Sequence, residues 1–207
     1  MIELPILNKS GEQAATFQVD EAKLGGKVRM KLLKQAVMMY EANLRQGTVC
    51  TKQRSDVAGS TRKLFPQKHT GNARQGMIRT PTRRGGGRAF GPKPRDFGWQ
   101  MPRKAKRVAM QSALLAKLKD GETRVVESLA LDAIKTKQVT QLIATLKLKG
   151  SCLFVTADHN KNLVLSARNI PGMGVAHVGD INCLEILRHQ WIVIEKQAVD
   201  RLTGAAS

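Results

Sequence analysis

Between residues 45 and 107 the chain holds 17 of its 35 lysines and arginines but only two of its 16 acids, Asp56 and Asp96. That stretch carries a formal +15, while the rest, with 18 basic and 14 acidic residues, carries +4 of the total +19. Nine of the 18 glycines and five of the seven prolines fall in the same stretch. Neither a helix nor a strand interior suits that composition. A sequence pI near 10.4 marks a chain that repels itself when compact, so a polyanionic partner is expected. RNA, DNA and an anionic membrane surface are the candidates. Membrane is the weakest, because no apolar run approaches the ~18 residues that span a bilayer.

The remainder patterns as a globular domain. IELPIL and ATFQV read as two strands joined by a turn at Asn8–Gly11. From Lys27 to Arg45, apolar residues at Val28, Leu32, Ala36, Met39, Tyr40 and Leu44 recur at three- and four-residue steps, the period of an amphipathic helix. A second helix runs through Val108, Ser112, Leu115 and Leu118 and stops near Gly121. Strands then alternate with helices: RVVES (124–128), a helix over 137–148, CLFVTA (152–157), a helix over 160–168, VAHVG (175–179), a helix from an Asp180 cap to Arg188, WIVIEK (191–196), and a last helix from about Gln197. This alternation predicts right-handed crossovers and a mostly parallel sheet. Unbroken apolarity in CLFV and WIVI predicts strands covered on both faces. The fold class expected is α/β: a three-layer sandwich with a mostly parallel central sheet, plus a long extended internal loop. Residues 1–46 and 104–207 would form the discontinuous domain, and 47–103 a basic arm.

The stretch RRGGGRAFGPKPRDF (83–97) concentrates the arm's character. A solvated flexible loop is the plainest reading of an excursion this long. Three features weigh against it. Phe65, Phe90, Phe97 and Trp99, four of the chain's eight aromatics, are interleaved with the charges, whereas solvated linkers avoid aromatics and RNA binders stack them on bases. Arginine outnumbers lysine 11 to six, and its planar fork suits bidentate phosphate contacts. The glycines let backbone approach a partner closely. Two antiparallel legs of such an arm could reach at most roughly 90 Å at ~3.3 Å per residue.

Enzymatic readings find little support. IPGMGVAHVGD has Gly172 and Gly174, but His177 stands where a third glycine belongs, and the run precedes a strand rather than following one. Gly85–Gly87 lacks the flanking strand and helix of a phosphate loop, and no GxxxxGK[ST] occurs. His69, His159, His177 and His189 are not spaced with the cysteines as metal ligands. No catalytic residue, cofactor or metal is therefore expected. Cys152 and Cys183 sit in apolar runs and read as buried free thiols, and MIELPILNKSGE lacks the basic start and apolar core of a secretory signal. A reducing, cytoplasmic setting follows as the expectation, and an organellar one is less favoured because the start is too acidic for a typical transit peptide.

The run STRKLFPQKHTGNARQGMIRTPTRRGGGRAFGPKPRDF (60–97), followed by KRVAMQSALLAKL (106–118), closely resembles the bacterial L4 family of large-subunit ribosomal proteins. LALDAIKTKQVTQLI (129–143), NLVLSARNIPG (162–172) and DINCLEILRHQWIVIEKQAVDRL (180–202) fit the same family, so the resemblance spans nearly the whole chain. It implies a non-enzymatic ribosomal component whose arm threads through large-subunit ribosomal RNA beside neighbouring ribosomal proteins, and which supports subunit assembly. By that resemblance the arm's tip, here Gln67, Lys68, His69, Thr70 and Gly71, lines the constriction of the peptide exit tunnel near the nascent peptide. The rRNA-binding residues expected are Arg54, Arg62, Lys63, Arg74, Arg79, Arg83, Arg84, Arg88, Phe90, Lys93, Arg95, Trp99, Arg103, Lys104 and Arg107. Nine of them, from Arg62 to Arg95 without Phe90, are the expected phosphate contacts of the arm. Against the family pattern, His69 stands where glycine is usual, and Phe65–Pro66 where an aromatic and an arginine are usual. A histidine tolerates a left-handed backbone less well than glycine, so an altered tip surface, with an altered macrolide response, is expected. Two rivals remain at this point: a free-standing RNA chaperone or regulator of the same fold, and an enzyme acting on RNA-linked substrates.

Overall fold

The computed structural model describes residues 1–8, 10–131 and 133–204. The chain forms two compact units, one from Met1–Glu41 and Gln100–Ser207, the other from Ala42–Trp99. In the first unit the element order is β1 (Ile2–Leu7), β2 (Gln13–Val19), a 3-10 turn (Glu21–Leu24), α1 (Met30–Asn43), α2 (Arg103–Lys119), β3 (Thr123–Val126), α3 (Thr136–Thr145), β4 (Cys152–Thr156), α4 (Lys161–Ala167), β5 (Met173–His177), α5 (Cys183–Arg188), β6 (Trp191–Glu195) and α6 (Lys196–Gly204). α1 ends two residues inside the second unit.

Six strands form one sheet in the order β2-β1-β3-β6-β4-β5. β2 pairs antiparallel with β1 through the predicted hairpin, and every other neighbour is parallel. The strand period of two then splits side chains between two cores. Val125, Leu153, Val155, Ile192 and Ile194 enter one, with Leu115 of α2, Ile186 of α5 and Val199 of α6. Val126, Cys152, Phe154 and Val193 enter the other, with Val139 of α3 and Leu163 of α4. Phe154 is completely buried, which is worth about 1.5–3 kcal/mol for an apolar side chain of its size. Helices thus cover both faces of the sheet, as the unbroken apolar strands require. Both cores are drawn from residues 1–41 and 100–204.

Chain direction sets which face each helix takes. β3→β4 and β4→β5 step outward across the sheet, whereas β5→β6 steps back inward. Crossovers of one hand running in opposite directions lie on opposite faces. α3 packs against α4 on one side, and α5 packs against α2 on the other.

One local expectation changes. The cap of α5 is Asn182, whose side chain accepts from the Glu185 N–H at 3.0 Å, and not Asp180. Ile181 has to enter the core, so the helix begins after it and Asp180 is left exposed beside His177. The glycines of IPGMGV also have a packing explanation. A Cβ on Gly174 would lie 2.9 Å from the ring of His189, which is buried and held to the Glu185 carbonyl by Nδ1 at 2.9 Å. Cys152 and Cys183 are free and buried, and burial pushes the Cys152 thiol up to about 12. Among the described residues no helix is long and apolar enough to cross a membrane.

Candidate nucleic-acid interface

Past Asn43 the second unit contains no helix and no strand, only one isolated antiparallel bridge, Lys63 to Met77. Its backbone is still paired. Arg95 N–H donates to Gly47 O at 3.1 Å, Thr51 N–H to Pro92 O at 3.0 Å and Arg88 N–H to Lys52 O at 2.8 Å. Towards the turn, Leu64 N–H donates to Gly76 O at 3.2 Å. Partners converge in number from 47/95 to 64/76, so an outgoing and a returning leg run antiparallel towards a tip that includes residues 67–71.

Glycine makes this pairing sterically feasible. A Cβ on Gly87 would fall 2.3 Å from the backbone of Gln53 and Arg54, and one on Gly86 2.0 Å from the Thr80 carbonyl oxygen. These two glycines admit the opposite leg and their own turn, rather than a ligand as their composition first suggests. Gly87→Ala is therefore expected to push the legs apart at a cost of about 1–3 kcal/mol. Faster hydrogen exchange at the Arg88 amide would show it. Gly85→Asn is the control, because position 85 is open and has φ 76°, which asparagine tolerates. Equal exchange in Gly87→Ala and the unaltered chain would contradict the packing.

The cations divide into two groups. Arg79 is turned into the unit: its Nη1 donates to Val57 O at 2.8 Å and Ser55 O at 3.5 Å, clamping the legs. Lys93 pairs with Asp56 at 2.8 Å. That ion pair, helped by the Gln53 N–H, holds the Asp56 carboxyl at about 2, so it stays ionised at neutral pH. Arg95 and Arg45 flank the Phe97 ring, 4.3 and 3.7 Å from its centroid. Lys63 bonds the Gln67 side chain. By contrast, among the described residues the exposed side chains of Arg54, Arg62, Arg74, Arg83, Arg84 and Arg88 make no hydrogen bond or ion pair, nor do those of Lys52 and Lys68. Phe90 is fully exposed at 103%, and Trp99 is 42% exposed, its backbone N–H donating to Asn43 Oδ1. Eight free cations and two available aromatics define a surface suited to phosphates and unstacked bases.

At the tip, Gln67, Lys68, His69 and Gly71 are exposed and Thr70 is half-buried. His69 does not avoid the conformation that favours glycine; its φ is 67°. Left-handed backbone costs a non-glycine residue about 1–2 kcal/mol, partly offset in any glycine variant by greater unfolded-state freedom. His69→Gly is expected to slow exchange of the nearby Leu64 amide about twofold, and faster exchange would contradict the strain.

Arg103, Lys104 and Arg107 stand apart from these, on the first turns of α2 in the first unit, together with Lys106, which the sequence expectation passed over. Pro102 caps this helix without a side-chain hydrogen bond, and its first turn has no acid. Basic residues at the positive end of a helix dipole are unfavourable unless an anion is bound there. Arg45 was also passed over; only its position on Phe97 singles it out.

Fold and surface together define a strongly basic α/β protein carrying a paired, glycine-spaced unit rich in unpaired arginine. Residues 17–205 match the model of the ribosomal protein L4/L1 family. The chain is also 43% identical over 202 residues to the large ribosomal subunit protein uL4 of Symbiobacterium thermophilum, with 98% of each chain covered. It belongs to the ribosomal protein L4 family, bacterial type.

Proposed function

We propose that the protein is a structural, non-enzymatic component of the large ribosomal subunit in the bacterial cytoplasm. It binds large-subunit ribosomal RNA through the Ala42–Trp99 unit and the first turns of α2, and it supports subunit assembly beside neighbouring ribosomal proteins. The observation that carries this reading is the set of unpaired arginines on glycine-spaced legs, in a chain matched to its family along nearly its full length. Free guanidinium groups at Arg54, Arg62, Arg74, Arg83, Arg84 and Arg88 neutralise phosphates, while Arg79, Lys93 and Arg95 shape the surface that presents them. Phe90 and Trp99 stack on unpaired bases. Prolines 81, 92 and 94 restrict the legs before docking and so reduce the entropy lost on binding. The tip at Gln67–Gly71 lines the exit-tunnel constriction, where the His69 imidazole replaces a bare glycine backbone facing the nascent peptide.

Sedimentation tests the assignment. In a lysate at physiological salt, the intact chain is expected to travel with large-subunit particles and to stay with them through a second gradient. A chain found mainly in slower RNA-containing fractions would point instead to a free-standing RNA regulator.

A further inference from the structure

Past the carboxyl ends of β4 and β5 the chain leaves for opposite faces of the sheet. β4 feeds α4 beside one core, and β5 feeds α5 beside the other. Open α/β sheets bind ligands where connections diverge in this way. A crevice of about 380 Å³ lies here, and His159, His177 and Asp180 line it. His159 follows β4, His177 ends β5 and Asp180 precedes α5, so parallel pairing joins residues that no sequence spacing links.

The two imidazole rings stack with centroids 4.3 Å apart and planes 20° from parallel. One ligand atom from each of the three residues lies within 4.8 Å of the others. The Gly179 N–H donates to His177 Nδ1 at 3.0 Å, which makes Nδ1 an acceptor and puts that ring's proton on Nε2. Neutral imidazole is the form that ligates metals.

We propose that His159, His177 and Asp180 form a binding site for a divalent transition-metal ion, zinc being the natural occupant, with water completing the coordination. Two nitrogens and a carboxylate suit a borderline dication, and an open fourth position is normal for three protein ligands. Magnesium and calcium, which take oxygen ligands, are disfavoured. Bonds of ~2.0–2.2 Å place tetrahedral donors roughly 3.3 Å apart. His159 and Asp180 are exposed and close that gap by side-chain rotation, while half-buried His177 is the fixed ligand. Binding through His177 Nδ1 takes the lone pair now engaged by Gly179. Binding through Nε2 moves the ring proton to Nδ1. Either way the Gly179 hydrogen bond is lost on loading. This departs from the sequence expectation of no metal, which rested on spacing to cysteines.

The full-length chain titrated with zinc chloride, followed by calorimetry and by the Gly179 amide resonance, tests the site. One equivalent is expected to bind with a shift of that amide. Affinity should fall at least about tenfold in His159→Ala and in His177→Ala, and hold in His189→Ala and Cys50→Ser. If His177→Ala disturbs β5, His159→Ala, at an exposed loop position, carries the test alone. Undiminished affinity in His159→Ala, no saturable binding, or a Gly179 amide that stays in place while zinc binds would overturn the proposal.

Discussion

Excising residues 52–91 and joining Thr51 to Pro92 is expected to leave the α/β unit folded while abolishing incorporation into large subunits. The junction is physically sound, because Thr51 N–H and Pro92 O already lie 3.0 Å apart. Neither core loses a side chain, since both are drawn from residues 1–41 and 100–204. Shortening the connection lowers its closure entropy by up to about 1 kcal/mol, at ~0.6 kcal/mol per halving, so thermal stability should hold or rise slightly. The function suffers differently. The excised segment takes ten of the 35 lysines and arginines and one acid, Asp56, reducing the net charge from +19 to +10. It removes all eight free cations, Phe90 and the tip. Gradients of cells relying on the shortened chain should show accumulated precursor particles and few mature large subunits. Normal subunit profiles would show that the segment is dispensable for assembly, while a shortened chain that fails to fold would contradict the independence of the α/β unit.

Much of the α/β unit is legible in the sequence because its signals are local and strong. CLFV and WIVI announce strands covered on both faces, and α1 keeps the centre of its expected period: Ala36 and Met39 are buried and Leu32 and Tyr40 half-buried, whereas Val28 and the exposed Leu44 fall outside the helix and Leu33, absent from the expected set, is buried. Asp180 misleads as a helix cap because a cap is judged by residue type, whereas the start of α5 is fixed by Ile181 entering a core assembled from distant elements. The same holds in the basic unit. Composition identifies a cationic surface but cannot divide its arginines. Arg79 and Arg83 look alike in sequence, yet one clamps Val57 O and the other is unpaired. Likewise, Gly85, Gly86 and Gly87 read as one flexible run. In the structure the first occupies open space in a left-handed turn, and the other two are pressed against backbone. His159 and His177 meet only through the pairing of β4 with β5, so their juxtaposition is absent from any one-dimensional reading.

Salt dependence separates the free cations from the structural ones. Each phosphate neutralised contributes about 0.7–0.9 to the slope of log affinity against log salt. The sequence expectation of nine contacts gives roughly −6 to −8, but Arg79, Lys93, Arg95 and Lys63 from that set are engaged within the protein. The eight unpaired cations, which bring in Arg54, Lys52 and Lys68, give about −6 to −7 if each meets one phosphate. The size of the effect therefore stays almost the same while the residues responsible change. Replacing Arg54, Arg62, Arg74, Arg83, Arg84 and Arg88 together by glutamine should make the slope shallower by about 4–5, leaving the contacts of Lys52, Lys68 and the first turns of α2 in place. Lys93→Gln should barely alter it. The decisive measurement is the slope for the full-length chain on large-subunit ribosomal RNA, paired with the six-arginine variant. A slope of about −6 or steeper that becomes shallower by about 4–5 in the variant supports a multi-phosphate arm. A slope already near −2 in the unaltered chain contradicts it.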